Sequence, residues 1–153
     1  MERKVTGKIV LVDDNRYEEH LLNEALQANN WDISVVYFSN VKDALEYLRV
    51  HMQEIFLIIS DINMPKMNGM DFKKAIDNDD VLGPQSIPFI FASSEATDKQ
   101  IKEAYQYRVQ GFFKKPESPE GQAKLLNEIV EYWMSCVFPK KEGVVDEAER
   151  QEF

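Results

Sequence analysis

Five times along this chain a short run of apolar, often β-branched residues gives way to a stretch whose apolar residues recur at helical spacing. No other feature constrains the fold as strongly. A helix after every strand forces the strands to be parallel, the crossovers to be right-handed and the helices to cover both faces of one sheet. The strand-like runs are residues 10–12 with Lys8 and Ile9 before them, then 33–38, 55–59, 89–92 and 111–113. Between them, Tyr17, Leu21, Leu22, Ala25 and Leu26 mark one helical face, and Val41, Ala44, Leu45, Leu48 and Met52 a second, capped by Ser39 or Asn40. A third helix is expected over 69–77, followed by an acidic loop over 77–88. A fourth starts at the Thr97/Gln100 capping box and carries Ile101, Ala104, Tyr105 and Val109. Leu125, Leu126, Ile129, Val130, Trp133, Met134 and Val137 line the last. The expected architecture is therefore α/β: a five-stranded, doubly wound parallel sheet. The run 55–59 is the most hydrophobic, which suits a central strand buried on both faces.

In such sheets ligands sit beyond the carboxyl ends of the strands, at the switch point of the strand order, so the residues that end each strand carry the function. They are Asp13 and Asp14 after the first strand, Asp61 after the third, Ser93 and Ser94 after the fourth, and Lys114, Lys115 and Pro116 after the fifth. Two carboxylates about 4 Å apart repel by roughly 4 kcal/mol at an effective dielectric of 20, on the order of 3 pK units. A convergent set must hold a proton or bind a cation. With oxygen donors and no His or Cys nearby in sequence, the expected guest is a hard ion, Mg²⁺ before Ca²⁺. Asp13, Asp14 and Asp61 (−3), the ion (+2) and one lysine (+1) sum to zero. A phosphoryl group placed there meets a metal, an ammonium and a serine hydroxyl, a combination suited to phosphoryl transfer onto a carboxylate.

Four blocks carry a resemblance to a known family. Val12-Asp13-Asp14-Asn15, Ile59-Ser60-Asp61-Ile62-Asn63-Met64-Pro65 with Gly69 beyond it, Ala92-Ser93-Ser94-Glu95, and Phe112-Phe113-Lys114-Lys115-Pro116 resemble the signature of the receiver domain of two-component response regulators. The match covers residues 7–138, in the manner of the stand-alone, chemotaxis-type regulators of bacteria. The resemblance implies a flavodoxin-like fold, with Asp61 as the phosphoacceptor supplied by a histidine kinase or histidine phosphotransfer protein. It implies that Asp14, Asp61 and the backbone carbonyl of Asn63 ligate Mg²⁺, with Asp13 acting mainly through water. Lys115 would pair with the phosphoryl oxygens, across a cis bond to Pro116, and Lys114 would be its solvated neighbour. Ser93 would be the hydroxyl switch and Phe112 the switch aromatic, moving inward from an outward rotamer as Ser93 turns to the phosphoryl group. Ser94 stands where the family commonly has Ala or Gly. Asn63 and Glu95 flank the acceptor, where they can orient a hydrolytic water.

The expected function is thus a phosphorylation-dependent receiver that switches a protein-binding surface; its own chemistry is limited to self-phosphorylation and autodephosphorylation. Two other readings compete. An Mg²⁺-dependent phosphohydrolase of haloacid-dehalogenase type needs a second Asp two residues after the nucleophile, where this chain has Asn63, and room for a cap domain. A non-phosphorylated interaction module should have lost an acidic or lysine position, and none is lost. Aspartates that merely cap helices account for Asp13 or Asp14 singly, but not for the set with Asp61 and Lys115. His20 and His51 suit surface positions on separate helices.

Composition narrows the rest. With 18 Lys+Arg against 27 Asp+Glu the net charge is −9, which argues against direct DNA binding. The longest apolar run is too short to insert in a membrane, the start lacks a signal-peptide core, and the single Cys136 excludes an internal disulfide. A cytoplasmic protein is expected, with output through a downstream protein target. The last helix, which also carries Tyr132, Cys136 and Phe138, is apolar nearly all round at its end, a surface for a homodimer or a partner. Residues 139–153, with three basic and five acidic side chains, read as a short charged tail, a helical extension or a disordered one.

Overall fold

The computed structural model describes residues 7–138. Five strands, β1 (Gly7–Val12), β2 (Ile33–Phe38), β3 (Ile55–Ser60), β4 (Phe89–Ser93) and β5 (Gly111–Lys114), alternate with five helices, α1 (Tyr17–Ala28), α2 (Val41–His51), α3 (Gly69–Asn78), α4 (Asp98–Gln106) and α5 (Pro119–Met134). Short 3₁₀ turns, Met52–Glu54 and Gly83–Gln85, follow α2 and α3. All strand pairings are parallel, in the order β2-β1-β3-β4-β5. The order reverses between β1 and β3, so the crevice lies between the ends of those two strands.

Successive side chains of a strand point to opposite faces, and the two faces carry separate cores. Val10, Val12, Ile58, Phe89 and Phe91 pack under α2, α3 and α4 against Val41, Leu48, Phe72 and Ala104. Ile9, Leu11, Ile59, Ile90 and Ala92 pack under α1 and α5 against Leu22, Leu26, Ile129 and Val130. β3 is buried at every position, as its composition requires. The alternation slips once, where Ile9 pairs with Leu57 although Lys8 pairs with Ile55; Phe56 is the extra residue and shares the α1/α5 face with Leu57.

Helix starts are set by side chains. Asn40 caps α2 and, with Asp43, holds its first turn, whereas Thr97 and Gln100 form a reciprocal capping box on α4. Thr97→Ala is expected to lower the unfolding free energy by about 1 kcal/mol, read as a drop in the urea midpoint without a change in slope. The expected inner faces need four corrections. Tyr17 is 48% exposed, and the buried residue of that turn is Glu18. Tyr105 also faces solvent, and Val109 reaches the core only after α4 has ended at Gln106. Val137 is 83% exposed, because α5 stops at Met134 and the chain turns so that Phe138 packs on Phe56 and Trp133. The expectations for residues 139–153 lie outside the described residues.

Candidate functional site

Backbone hydrogen bonds bring the strand ends together. The Asp13 amide donates to Phe38 O at 3.1 Å, that of Asp61 to Val12 O at 2.9 Å, and that of Lys115 to Ser93 O at 2.9 Å. Three separate loops are thereby tied to neighbouring strands. Carboxylate oxygens of Asp13, Asp14 and Asp61 all lie within 4.8 Å of one another, with Asp13 and Asp61 buried and Asp14 exposed. One wall of this acidic pocket is thus open to water, and the set can hold a divalent cation.

Neither Asp13 nor Asp14 caps α1. Asp13 Oδ1 accepts the amide of Asn15 at 2.9 Å, Asn15 Oδ1 accepts that of Tyr17 at 3.1 Å, and the residue at the cap position, Arg16, makes no side-chain cap. The Tyr37 hydroxyl donates to the Asp13 carbonyl at 2.6 Å, which fixes the loop from the side of β2. Asp61 is oriented by its own turn: Oδ1 accepts the amides of Ile62 at 2.7 Å and Asn63 at 3.3 Å. Its other oxygen, Oδ2, is turned toward Lys115 Nζ, 3.9 Å away.

Lys115 Nζ stands 2.5 Å from Asp13 Oδ2 and 3.5 Å from Glu18 Oε1. Glu18 is the residue the apolar pattern concealed. It occupies the same stripe as Leu21, Leu22 and Ala25, three, four and seven residues on, and a charge on a core stripe was the available signal. It changes the charge count. Asp13, Asp14, Glu18 and Asp61 give −4 and Lys115 gives +1, so the pocket holds −3 and a divalent ion leaves −1 rather than zero.

Burial pushes the Asp13 carboxyl up to about 6, against the lowering pull of Lys115. The Lys115 ammonium is raised: burial works against the charge but is outweighed by Asp13, Glu18 and Asp61. For Asp13 the sign follows directly. Between its unfolded value of 3.8 and its folded value of about 6 the native state binds the extra proton, so this group's contribution to stability falls as pH rises through that window. In EDTA the wild type is expected to lose urea resistance between about pH 4 and 6 relative to Asp13→Asn, and a divalent cation should remove the difference.

Ser93 is buried, and its hydroxyl donates to Glu95 O at 2.8 Å. The Asn63 side chain joins the same loop: Nδ2 donates to Glu95 O at 2.5 Å and lies 3.5 Å from Ser93 Oγ, while Oδ1 accepts from Gln100 Nε2 at 3.0 Å. Since Gln100 Oε1 also caps Thr97, one amide links the Asp61 loop to the start of α4. Phe112 is half-buried, its ring 5.6 Å from that of Phe91. Beside it, Ser94, Glu95, Ala96, Ile101, Tyr105 and Lys114 line a shallow cavity of about 410 Å³. Lys114 is solvated, as expected. The Lys115–Pro116 bond is trans, which corrects the cis expectation; the trans form of such bonds is favoured by about 0.5–1 kcal/mol, and the Lys115 amide already reaches its β4 acceptor.

Residues 9–129 match the family model described as the response regulator receiver domain. The chain belongs to this family, whose members are phosphorylation-dependent signal receivers of two-component systems. Among solved structures it resembles the phosphorylated cyanobacterial phytochrome response regulator RcpA, at 27% identity and a TM-score of 0.79 over 88% of this chain and 98% of that one. It resembles the chemotaxis response regulator CheY4 of Vibrio cholerae at 25% identity and a TM-score of 0.64, over 82% and 99% of the two chains. The two-component response regulator ORR3 of rice (Oryza sativa) is 26% identical over 122 residues, 80% of this chain and 89% of its own.

Proposed function

We propose that Asp61 is the phosphoacceptor and that its Oδ2 is the attacking oxygen. The observation that carries this is the asymmetry of the carboxylate: Oδ1 is pinned by two backbone amides while Oδ2 faces the ammonium of Lys115. Attack of the Asp61 carboxylate on the phosphorus of a phosphohistidine protonated at its other ring nitrogen forms the O–P bond of an acyl phosphate and breaks the P–N bond; the bond pair stays on nitrogen and the imidazole departs neutral. Lys115 then pairs with a phosphoryl oxygen, and the Ser93 hydroxyl is free to exchange its Glu95 carbonyl for another. When bound, a divalent ion, in our reading Mg²⁺ on Asp14, Asp61 and the Asn63 carbonyl with Asp13 acting mainly through water, neutralises charge on the transferring group.

The same reading assigns Ser93 and Phe112 to the switch. A Ser93 hydroxyl drawn toward the phosphoryl group vacates space beside Phe91 that Phe112 can fill, remodelling the surface between α4 and β5. The phosphodonor partner is a histidine kinase or phosphotransfer protein in the cytoplasm, and the output is docking on a protein. The chain acts stoichiometrically and is not a turnover enzyme. A hydrolase would need an acid at position 63, where the amide of Asn63 is committed to Glu95 and Gln100. Incubation with Mg²⁺ and acetyl phosphate followed by intact mass measurement is the test. The wild type should gain the mass of one phosphoryl group, and neither Asp61→Asn nor the EDTA-treated wild type should; sustained turnover of phosphodonor without a covalent adduct would favour the hydrolase.

A further inference from the structure

Three carboxylates surround one ammonium in this pocket, and they are not equivalent. Asp13 and Asp61 belong to the cation-competent set with Asp14, whereas Glu18 is outside it, and its ion-pair partner among the described residues is Lys115. Glu18 is also delivered differently, from the first turn of α1 and on the buried stripe of that helix. We infer that Glu18 is a positioning residue for the phosphoryl-transfer chemistry: it keeps the Lys115 ammonium inside the pocket when a divalent cation draws on the charge of Asp13. This rests on the reading of Asp61 and Lys115 given above.

The argument is one of competing charges. Without a cation, Asp13 at 2.5 Å is the main anchor of Lys115, and Glu18 at 3.5 Å is secondary. A divalent ion in the Asp13, Asp14 and Asp61 set draws on the charge of Asp13 and repels the ammonium a few ångströms away. With only Asp13 and Asp61 as partners, the flexible lysine stem would carry its charge out to water. Glu18 supplies an anion that the metal does not claim, buried so that its field is weakly screened. The fourth carboxylate, unaccounted for in a pocket that already balances a divalent ion and one lysine, thereby acquires a role. Lys115 stays poised within reach of Asp61 Oδ2 at the moment a phosphoryl group arrives.

The test reads the position of Lys115 directly, by acylation of the intact protein with an amine-reactive reagent and peptide mapping, with exposed Lys114 as the internal standard. Wild-type Lys115 is expected to be protected with or without saturating Mg²⁺. In Glu18→Gln, which keeps the shape and loses the charge, Lys115 should be protected without Mg²⁺, which also shows that the variant is folded. With saturating Mg²⁺ its labelling should rise about ten-fold, the equivalent of 1.4 kcal/mol, and its rate of phosphoryl uptake should fall by a similar factor. Glu18→Asp, which keeps the charge, should restore protection, and Glu19→Gln should behave as wild type. Continued protection of Lys115 in Glu18→Gln at saturating Mg²⁺ would overturn the inference. A wild type that takes up no phosphoryl group would instead refute the Asp61 reading, and the labelling result does not depend on it.

Discussion

Lys115→Ala is expected to cost roughly 3 kcal/mol of folding stability at neutral pH in the absence of divalent cations, one of the two largest effects among these substitutions. The ammonium stands 2.5 Å from Asp13, 3.5 Å from Glu18 and 3.9 Å from Asp61, and its side chain is 10% exposed. Removing it leaves three carboxylates facing one another with no positive charge among them. Two features keep the loss at the low end for a broken buried pair. The pocket is open to water on the Asp14 side, and Asp13, already raised to about 6, can take up a proton. The deficit should therefore shrink in mildly acidic buffer, where that proton is cheaply bound, and grow in mildly alkaline buffer. Mg²⁺ should restore much of the stability by supplying positive charge in place of the lysine. Urea unfolding of wild type and variant, with EDTA and with Mg²⁺, checks all three statements. A deficit independent of both pH and Mg²⁺ would mean that the side chain matters by packing alone.

Gly69→Ala should have an effect of similar size for a different reason. A methyl group at that position would lie 2.2 Å from Asp61 O, 2.8 Å from Ile62 Cα and 2.6 Å from the Phe91 ring. Two of those atoms are backbone and cannot turn aside, and the third belongs to a fully buried core ring. The amide of Gly69 also donates to Ile62 O at 2.9 Å, so the start of α3 is clamped against the loop that presents Asp61. Relief requires that loop or the helix to move. A loss of about 3 kcal/mol is expected, together with a displaced Asp61. Calorimetry should show the lower melting temperature, and the phosphodonor reaction should be impaired even well below it. Gly111→Ala is the contrast, because its methyl would meet no backbone, only the edge of the Phe113 side chain at 3.1 Å. Normal phosphoryl uptake in a folded Gly69→Ala protein would contradict the tight coupling of α3 to the Asp61 loop.

The fold was readable because its signal is collective. Five apolar runs and the stretches between them agree on one architecture, and an error at one residue does not disturb it. The aspartates and Lys115 were readable because a parallel sheet places all strand ends on one rim, so position in sequence already implies convergence. Glu18 was not, because apolar members define a buried helical face and a single charge among them carries no meaning until its partner is known. Its partner, Lys115, is 97 residues further along the chain. The Asn63–Gln100 bridge was hidden similarly: each residue has a sufficient local role, Gln100 in a capping box and Asn63 in the acceptor loop, and only the packing of two loops adds the second. Tyr17 and Val137 share the helical spacing of buried residues yet face solvent, for the converse reason. Helical spacing assigns a side, but not where the helix stops touching its neighbour.

The central claim is that the phosphoryl group resides on Asp61, and it can be located chemically. Borohydride reductively cleaves an aspartyl phosphate to homoserine, which tandem mass spectrometry of the digested protein places at one position. After incubation with Mg²⁺ and acetyl phosphate, homoserine is expected at position 61 and nowhere else. Homoserine at position 13 or 14, or a phosphorylated protein from which borohydride yields none, would contradict the account.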